Sequence, residues 1–301
     1  MPIARGQWAE FLSPGLNMRT FNAYRRHPEM YRRINNVQNS RKAFEDDFRI
    51  ANLGPLAPKS ELGTTFLDEP LKIGGIRYTH KTFALGVAVS KEMRDDSQYQ
   101  EILALAEMLG TSSYWTSELY GHDVYNNAFV TTKYTGRDGL ALCSTAHPIQ
   151  GTGGTFANTP TIAADLSEAS LEAAILQYDT MVNERGMPIM FQAKTLLVNP
   201  YNRMIAKRLL NSAGFPGDNL NDVNPLNDEG IMAFSDPWLT SQKAWFLLCE
   251  QSYVDVKFWW REQPDTKTWD DDDADATFHK IRQRHSVGFG DWRGVYGSPG
   301  T

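Results

Sequence analysis

Between Gln98 and Phe129 small and apolar residues recur at alternating steps of three and four: Ile102, Leu105, Leu109, Ser112, Thr116 and Leu119. That spacing lays them on one face of an α-helix, which Leu103 and Ala106 widen. Asp95, Asp96 and Ser97 precede it, offering acceptors to free backbone N–H groups and negative charge to the positive end of the helix dipole. No proline interrupts the stretch. A continuous helix over 98–129 is therefore expected, roughly 45 Å long at about 1.5 Å per residue. Gly110 and Gly121 weaken it by about 1 kcal/mol each relative to alanine, so packing along its length must hold it.

Period-two patterning marks the C-terminal quarter. Val254, Val256, Phe258 and Trp260 alternate with Asp255, Lys257, Trp259 and Arg261, which predicts a strand with one core face. Asp270–Asp273 and Asp275 form the expected hairpin tip, and Ile281, Val287 and Phe289 share a parity on the return, opposed by Lys280, Arg282 and Arg284. Further helices are expected over 168–185, opened by Asp165 or Ser167, and over 201–211. Buried strands are expected over 195–198 and 244–249, and a short strand followed by a loop over 138–148.

The first third reads differently. Residues 1–41 have the marks of an arm: Ser13-Pro14-Gly15 is a turn, Pro28 splits any helix, and Arg19, Arg25, Arg26, Arg32, Arg33 and Arg41 concentrate positive charge. Such a segment is either a solvated terminus or an arm that pairs with carboxylates on a neighbouring copy. Phe44, Phe48 and Ile50 lie in an extended lead-in. Residues 54–82 carry Lys59, Glu61, Asp68, Glu69, Lys72, Arg77 and Lys81 with little core-forming density, a long two-stranded excursion bent at Gly74-Gly75 and unstable alone. Ile76 and Tyr78 occupy even positions but Phe83, Leu85, Val87 and Val89 odd ones. Residues 79–83 must then hold a bulge or a change of packing partner.

Composition narrows the class. With 301 residues and 41% hydrophobic content the chain can bury a large core. A net charge of −6 argues against a protein that coats nucleic acid. Cys143 and Cys249 give no disulfide framework, and no run of 18 apolar residues suggests a membrane span.

Candidate chemistry is sparse. Cys143 and His147 could pair as nucleophile and base, though no orienting third group is evident and a packed cysteine is the simpler reading. Ser144 lacks the setting of a hydrolase elbow. The aspartates at 270–275 lack the spacing of a calcium loop, and His279 and His285 stand too far apart along a strand to share a metal. Gly151-x-Gly-Gly lacks the lysine of a phosphate loop. No catalytic residue, metal or cofactor site is assigned. What remains is a basic arm, a coreless excursion and a beam-like helix, parts that make sense when other copies supply the missing contacts.

Tyr78-Thr79-His80-Lys81-Thr82-Phe83-Ala84-Leu85-Gly86, with Glu92-Met93, Asp95-Asp96 and Tyr99, resembles the stretch entering the long helix in Mu-like major head subunits of tailed phages. Asn126-Asn127-Ala128-Phe129, Asp138-Gly139 through His147-Pro148, Leu196 to Pro200 and Ala206 to Leu210 are similar to later stations of that family, in consistent order over roughly residues 40–296. The resemblance implies an α+β, HK97-like capsid fold. Its parts would be an N-terminal arm with lead-in strand over 1–53, an E-loop over 54–82, a P-domain over 83–186 with spine helix 98–129, an A-domain over 187–249, and a return to the P-domain sheet with a C-terminal tail over 250–301. It also implies a non-enzymatic subunit that forms pentamers and hexamers of an icosahedral head around double-stranded DNA, held non-specifically. Portal protein and separate scaffolding or decoration proteins are the other expected partners, with assembly in the host bacterial cytoplasm. No trimming is expected, and covalent cross-linking between subunits is not carried over, because no motif singles out a lysine–asparagine pair. Expected inter-subunit contacts are Arg25, Arg26, Arg32, Arg33, Lys59, Glu61, Leu62, Phe66, Leu67, Asp68, Glu69 and Lys72. An encapsulin-like protein compartment and a small hydrolase using Cys143 and His147 are the alternatives.

Overall fold

The structure, a computed structural model, describes residues 8–59, 61, 63–96, 99–149, 151, 153–212, 214, 223–271 and 273–301. Leu62, Ser97 and Gln98, named above, lie outside the described residues. The elements run α1 (Trp8–Arg25), α2 (Tyr31–Ile34), β1 (Asn36–Asn39), β2 (Phe44–Ile50), β3 (Lys72–Thr79), β4 (Lys81–Ser90), α3 (Lys91–Asp95), α4 (Tyr99–Asn126), β5 (His147–Ile149) and β6 (Gly154–Phe156). There follow α5 (Glu168–Asp179), β7 (Ala193–Val198), α6 (Arg203–Asn211), β8 (Met232–Ser235), β9 (Trp245–Cys249), β10 (Val256–Asp271), β11 (Ala276–Phe289) and β12 (Val295–Ser298). They build one four-stranded sheet in the order β1-β10-β11-β4, a second in the order β12-β9-β7-β8, and two-stranded ribbons β2-β3 and β5-β6.

The predicted beam is α4, 28 residues long. Its buried seam runs through Ile102, Ala106, Leu109, Gly110, Ser113, Ser117, Gly121, Val124 and Tyr125, rotated from the expected stripe, and Leu119 is 57% exposed. The glycines explain the rotation. A Cβ at Gly110 would sit 2.1 Å from the Thr20 carbonyl oxygen, and one at Gly121 would sit 2.4 Å from Tyr31 Cβ. They are therefore contact points for another segment rather than weak spots.

That segment is the expected arm, which packs on the body instead of lying in solvent. Leu16, Ala23, Tyr31 and Ile34 are buried, Pro14 lies inside α1, and Thr20 Oγ1 stands 3.1 Å from the Ala106 carbonyl oxygen. The N–H groups of Met30 and Tyr31, left free at the start of α2, donate to the two oxygens of Glu118 at 2.7 and 3.1 Å. Glu118 is fully buried and its carboxyl is pushed up to about 7 by burial, with His122 acting in the opposite sense. His122 Nε2 in turn lies 2.6 Å from Asp236 Oδ2. One buried chain of polar groups thus ties α2, α4 and the loop after β8 together.

The parity change at 79–83 is a change of partner. β3 pairs with β2, whereas β4 pairs antiparallel with β11. Buried His80 fills the gap between them, with Nε2 3.1 Å from Ser40 Oγ and Nδ1 3.0 Å from Ser286 Oγ. Gly74 and Gly75 are not a bend. They lie within β3, where a Cβ at Gly75 would meet the Phe48 ring at 2.4 Å.

Elsewhere the expected boundaries shift. β12 pairs antiparallel with β9, so the C-terminal region divides between both sheets, because Val295 and Tyr296 are needed in the second core. α5 stops at Asp179, since Val182 bridges to Pro188 and Gly186 adopts φ 76°. It is capped by Ser167 and packs on the second sheet, where Tyr178 Oη lies 2.7 Å from the Leu247 carbonyl oxygen. Residues 138–143 form turns instead of a strand, held by the Cys143 N–H donating to Ala128 O at 2.8 Å. The main core joins the second sheet, α5, α6 and the C-terminal half of α4.

His279 and His285 share the face of β11 that is covered, and both are buried. His285 is enclosed by Phe83, Phe258, Tyr120 and Trp260, with ring centroids 4.5 to 5.5 Å away, and neither ring nitrogen meets a partner. Burial pushes its imidazole down to about 3.

Two predictions follow from this packing. Gly121→Ala gains helix propensity but forces a methyl into Tyr31, so chemical denaturation should show a net loss of about 1–3 kcal/mol. An imidazole that titrates near 6.5 unfolded and about 3 folded holds its full contribution above pH 6.5, and that contribution is lost as pH falls toward 3, at up to about 1.4 kcal/mol per pH unit. His285→Phe should flatten thermal stability against pH in that window. An unchanged slope would show that the His285 imidazole does not set the acid limit.

Candidate assembly surface

Along β2 the side chains alternate between half-buried and exposed, and the alternation is inverted. Glu45, Asp47 and Arg49 turn toward the body, whereas Phe44, Phe48 and Ile50 face solvent, the last two each 63% exposed. The outer face is dressed by β3: Arg77 lies over the Phe44 ring at 4.1 Å and Lys72 Nζ over Phe48 at 5.2 Å. Arg77 also forks onto Asp46 at 2.6 and 2.9 Å.

Toward the body, the charged face meets a cluster of opposite charges. Asp47 pairs with Arg137 at 2.5 Å and with Lys257. Asp255 bridges the same two cations at 3.2 and 2.9 Å. Arg49 pairs with Asp291, which also meets Arg293 at 3.1 Å, and Arg293 continues to Glu184 at 2.8 Å. Four carboxylates and four cations therefore balance at the root of the ribbon. Sequence reading missed this cluster, although the every-second-residue charge in β2 was its signal.

Beyond the ribbon, the Ala51 N–H donates to Leu71 O at 2.8 Å, which joins the two ends of the segment between β2 and β3. Phe66 and Leu67 are 71% and 85% exposed, and Lys59 and Glu61 are exposed as well. Asp68 accepts from the Gly54 N–H at 2.9 Å, and Arg185 donates to Asp68 at 3.2 Å and to Glu69 O at 2.7 Å. The Gly54 N–H, foremost, and the Arg185 charge hold the Asp68 carboxyl below its ordinary range.

The arginines of the first segment are exposed but lie apart from the excursion. Arg26 approaches Glu107 at 3.9 Å, Arg32 pairs with Glu29, and Arg33 lies over the Phe234 ring at 5.4 Å. Arg25 ends α1. The expected contacts thus lie on two separate segments, the N-terminal segment and the excursion. Other exposed apolar groups unforeseen as contacts are Met108 and Trp115 on α4, Tyr201, Met204 and Ile205 at α6, and Met232 on β8.

The enzymatic alternative fails on geometry. Burial raises the Cys143 thiol well above its ordinary range, and both His147 nitrogens are engaged, Nδ1 with Asp138 at 2.6 Å and Nε2 with Asn158 at 3.1 Å. The ring also stacks on Trp292 at 4.3 Å, so this pair is packing. Arg282 and Arg284 both approach Glu262 at 3.5 Å. Among the described residues no cluster of three or more His, Cys, Asp or Glu could hold a metal, and no helix is long and apolar enough to cross a membrane.

Comparison with known proteins identifies the class. No curated protein matches the sequence. Solved structures do: the procapsid of bacteriophage JBD30 is 16% identical with a TM-score of 0.56, covering 96% of this chain and 74% of that one. A virus-like particle from Pyrococcus furiosus is 8% identical with a TM-score of 0.56, covering 95% and 98%. The capsid of cyanophage P-SCSP1u is 10% identical with a TM-score of 0.56, covering 90% and 87%. At such identities the likeness shows the fold, an α+β architecture of the HK97 type. The family is shown by the sequence itself, which matches the phage capsid protein family over residues 75–298, most of the chain. The chain belongs to the phage capsid protein family and is a structural subunit.

Proposed function

We propose that this subunit forms pentamers and hexamers that close into an icosahedral head around double-stranded DNA. The carrying observation is the inverted ribbon, whose apolar side chains are turned away from their own core. Covering them against a neighbour removes apolar surface from water at about 25 cal/mol per Å². Each subunit meets several neighbours, so closure supplies avidity that no single contact has.

In this reading the ribbon and residues 51–71 act as the E-loop. The first sheet with α4 forms the P-domain, and the second sheet with α5 and α6 forms the A-domain around the symmetry axes. Lys59, Glu61, Asp68, Glu69 and Lys72 set register with the adjacent copy, Phe66 and Leu67 supply burial, and the guanidinium heads of Arg25, Arg26, Arg32 and Arg33 meet a neighbour's carboxylates. The ordered stations from Tyr78 to Leu210 support a place among Mu-like major head subunits. Portal protein, scaffolding or decoration proteins and non-specifically held DNA complete the list of partners, with assembly in the host bacterial cytoplasm before residence in the virion. An acidic chain, net charge −6, tolerates packed DNA without gripping it. A second reading is an encapsulin-like compartment, which shares the fold.

Replacing residues 53–69 by a short Asn-Gly turn keeps the Ala51–Leu71 closure and should leave a folded subunit that forms no shells under negative-stain microscopy. Normal shells from this variant would contradict the role of the excursion. Nuclease-protected DNA in particles from infected cells is expected, and particles filled with protein cargo would favour the compartment reading instead.

A further inference from the structure

The ribbon is fastened to its body by the kind of interaction that is easiest to undo. The fully buried apolar seats, among the described residues, are Ala51 and Ile73 and Tyr78 of β3, with Leu71 and Ile76 half-buried beside them. The Tyr78 ring lies 6.2 Å from that of Trp259, and a Cβ on Gly288 would stand 2.9 Å from it. β2 contributes none: its attachment is Asp47 to Arg137 and Lys257, and Arg49 to Asp291. Farther out, the fastening is again ionic, Arg185 to Asp68. Neither ribbon strand pairs with a strand of the two larger sheets.

Ion pairs and apolar contacts behave differently when such a seat opens. A half-buried ion pair trades partner for water at small net cost, because desolvation had already offset most of the attraction. An apolar seat loses its whole contribution on exposure. The two ribbon charges are of opposite sign, so lifting them together leaves the cations and carboxylates of the body balanced among themselves. We propose that Asp47 and Arg49 form a reversible ionic clasp that fixes the angle of the ribbon in the free subunit, with Tyr78 as pivot. Its release lets the ribbon swing as a neighbouring copy covers Phe44, Phe48 and Ile50. The neighbour's part rests on the assembly reading above, whereas the clasp is a property of the free subunit.

The test uses soluble full-length subunit carrying nitroxide labels at Leu56→Cys and Leu176→Cys, both exposed positions. Cys143 and Cys249 are buried, which keeps them from the label. Pulsed electron–electron resonance should give one narrow distance distribution in the parent. Asp47→Asn combined with Arg49→Gln should widen it at least twofold, while Arg49→Lys retains the parent width. An unchanged distribution in the double variant, or equal widening with lysine, overturns the clasp. Should the double variant not fold, Arg49→Gln alone carries the test, since its side chain is 39% exposed; partial widening supports the clasp and no widening refutes it. A clasp that opens on substitution in a subunit that never forms shells contradicts the assembly reading and leaves the clasp standing.

Discussion

A strand that turns Glu45, Asp47 and Arg49 toward its own body and Phe44, Phe48 and Ile50 toward water leaves apolar surface that its own chain does not cover. Covering the exposed part of one such side chain is worth about 1–2 kcal/mol, little for one contact but large when repeated around a closed shell. The architecture follows from this constraint. The body supplies charges that seat the ribbon, and the ribbon's apolar face is left uncovered by its own chain.

For the ribbon to present its apolar face at a defined place, what it is seated on must be rigid. α4 provides the beam, and its glycines let α1 and α2 approach so closely that the N-terminal segment becomes part of the body. The buried line from the Met30 and Tyr31 N–H groups through Glu118 and His122 to Asp236 extends that rigidity to the second sheet. β10 and β11 pair along their length and carry the remaining clasp charges at their far end, Lys257 on β10 and Asp291 and Arg293 just past β11. The same strands thus hold α4 from one side and the ribbon root from the other.

Elements with regular periodicity or a continuous apolar run were legible in the sequence: α4, the β10-β11 hairpin and α6 by period, β7 and β9 by their apolar runs, all fall where the patterns place them. The change of partner at His80 was legible too, because a parity switch admits few structural causes. What escaped depended on tertiary contact. Gly110 and Gly121 read as weaknesses in a lone helix but are close approaches once α1 and α2 arrive. The arginine-rich first segment read as an arm because its buried residues, Leu16, Ala23, Tyr31 and Ile34, are too sparsely spaced to announce a core of their own. At β2 the hydrophobic pattern was visible but its direction was not, since alternation alone does not say which face meets the body. The charge cluster draws on residues from 47 to 293, and no local window contains it.

The most direct measurement is an electron cryomicroscopy reconstruction of particles assembled from this chain. The account predicts closed shells of pentamers and hexamers in which a neighbouring copy covers Phe44, Phe48 and Ile50. A small soluble oligomer, or a shell that leaves those three side chains in solvent, would contradict it.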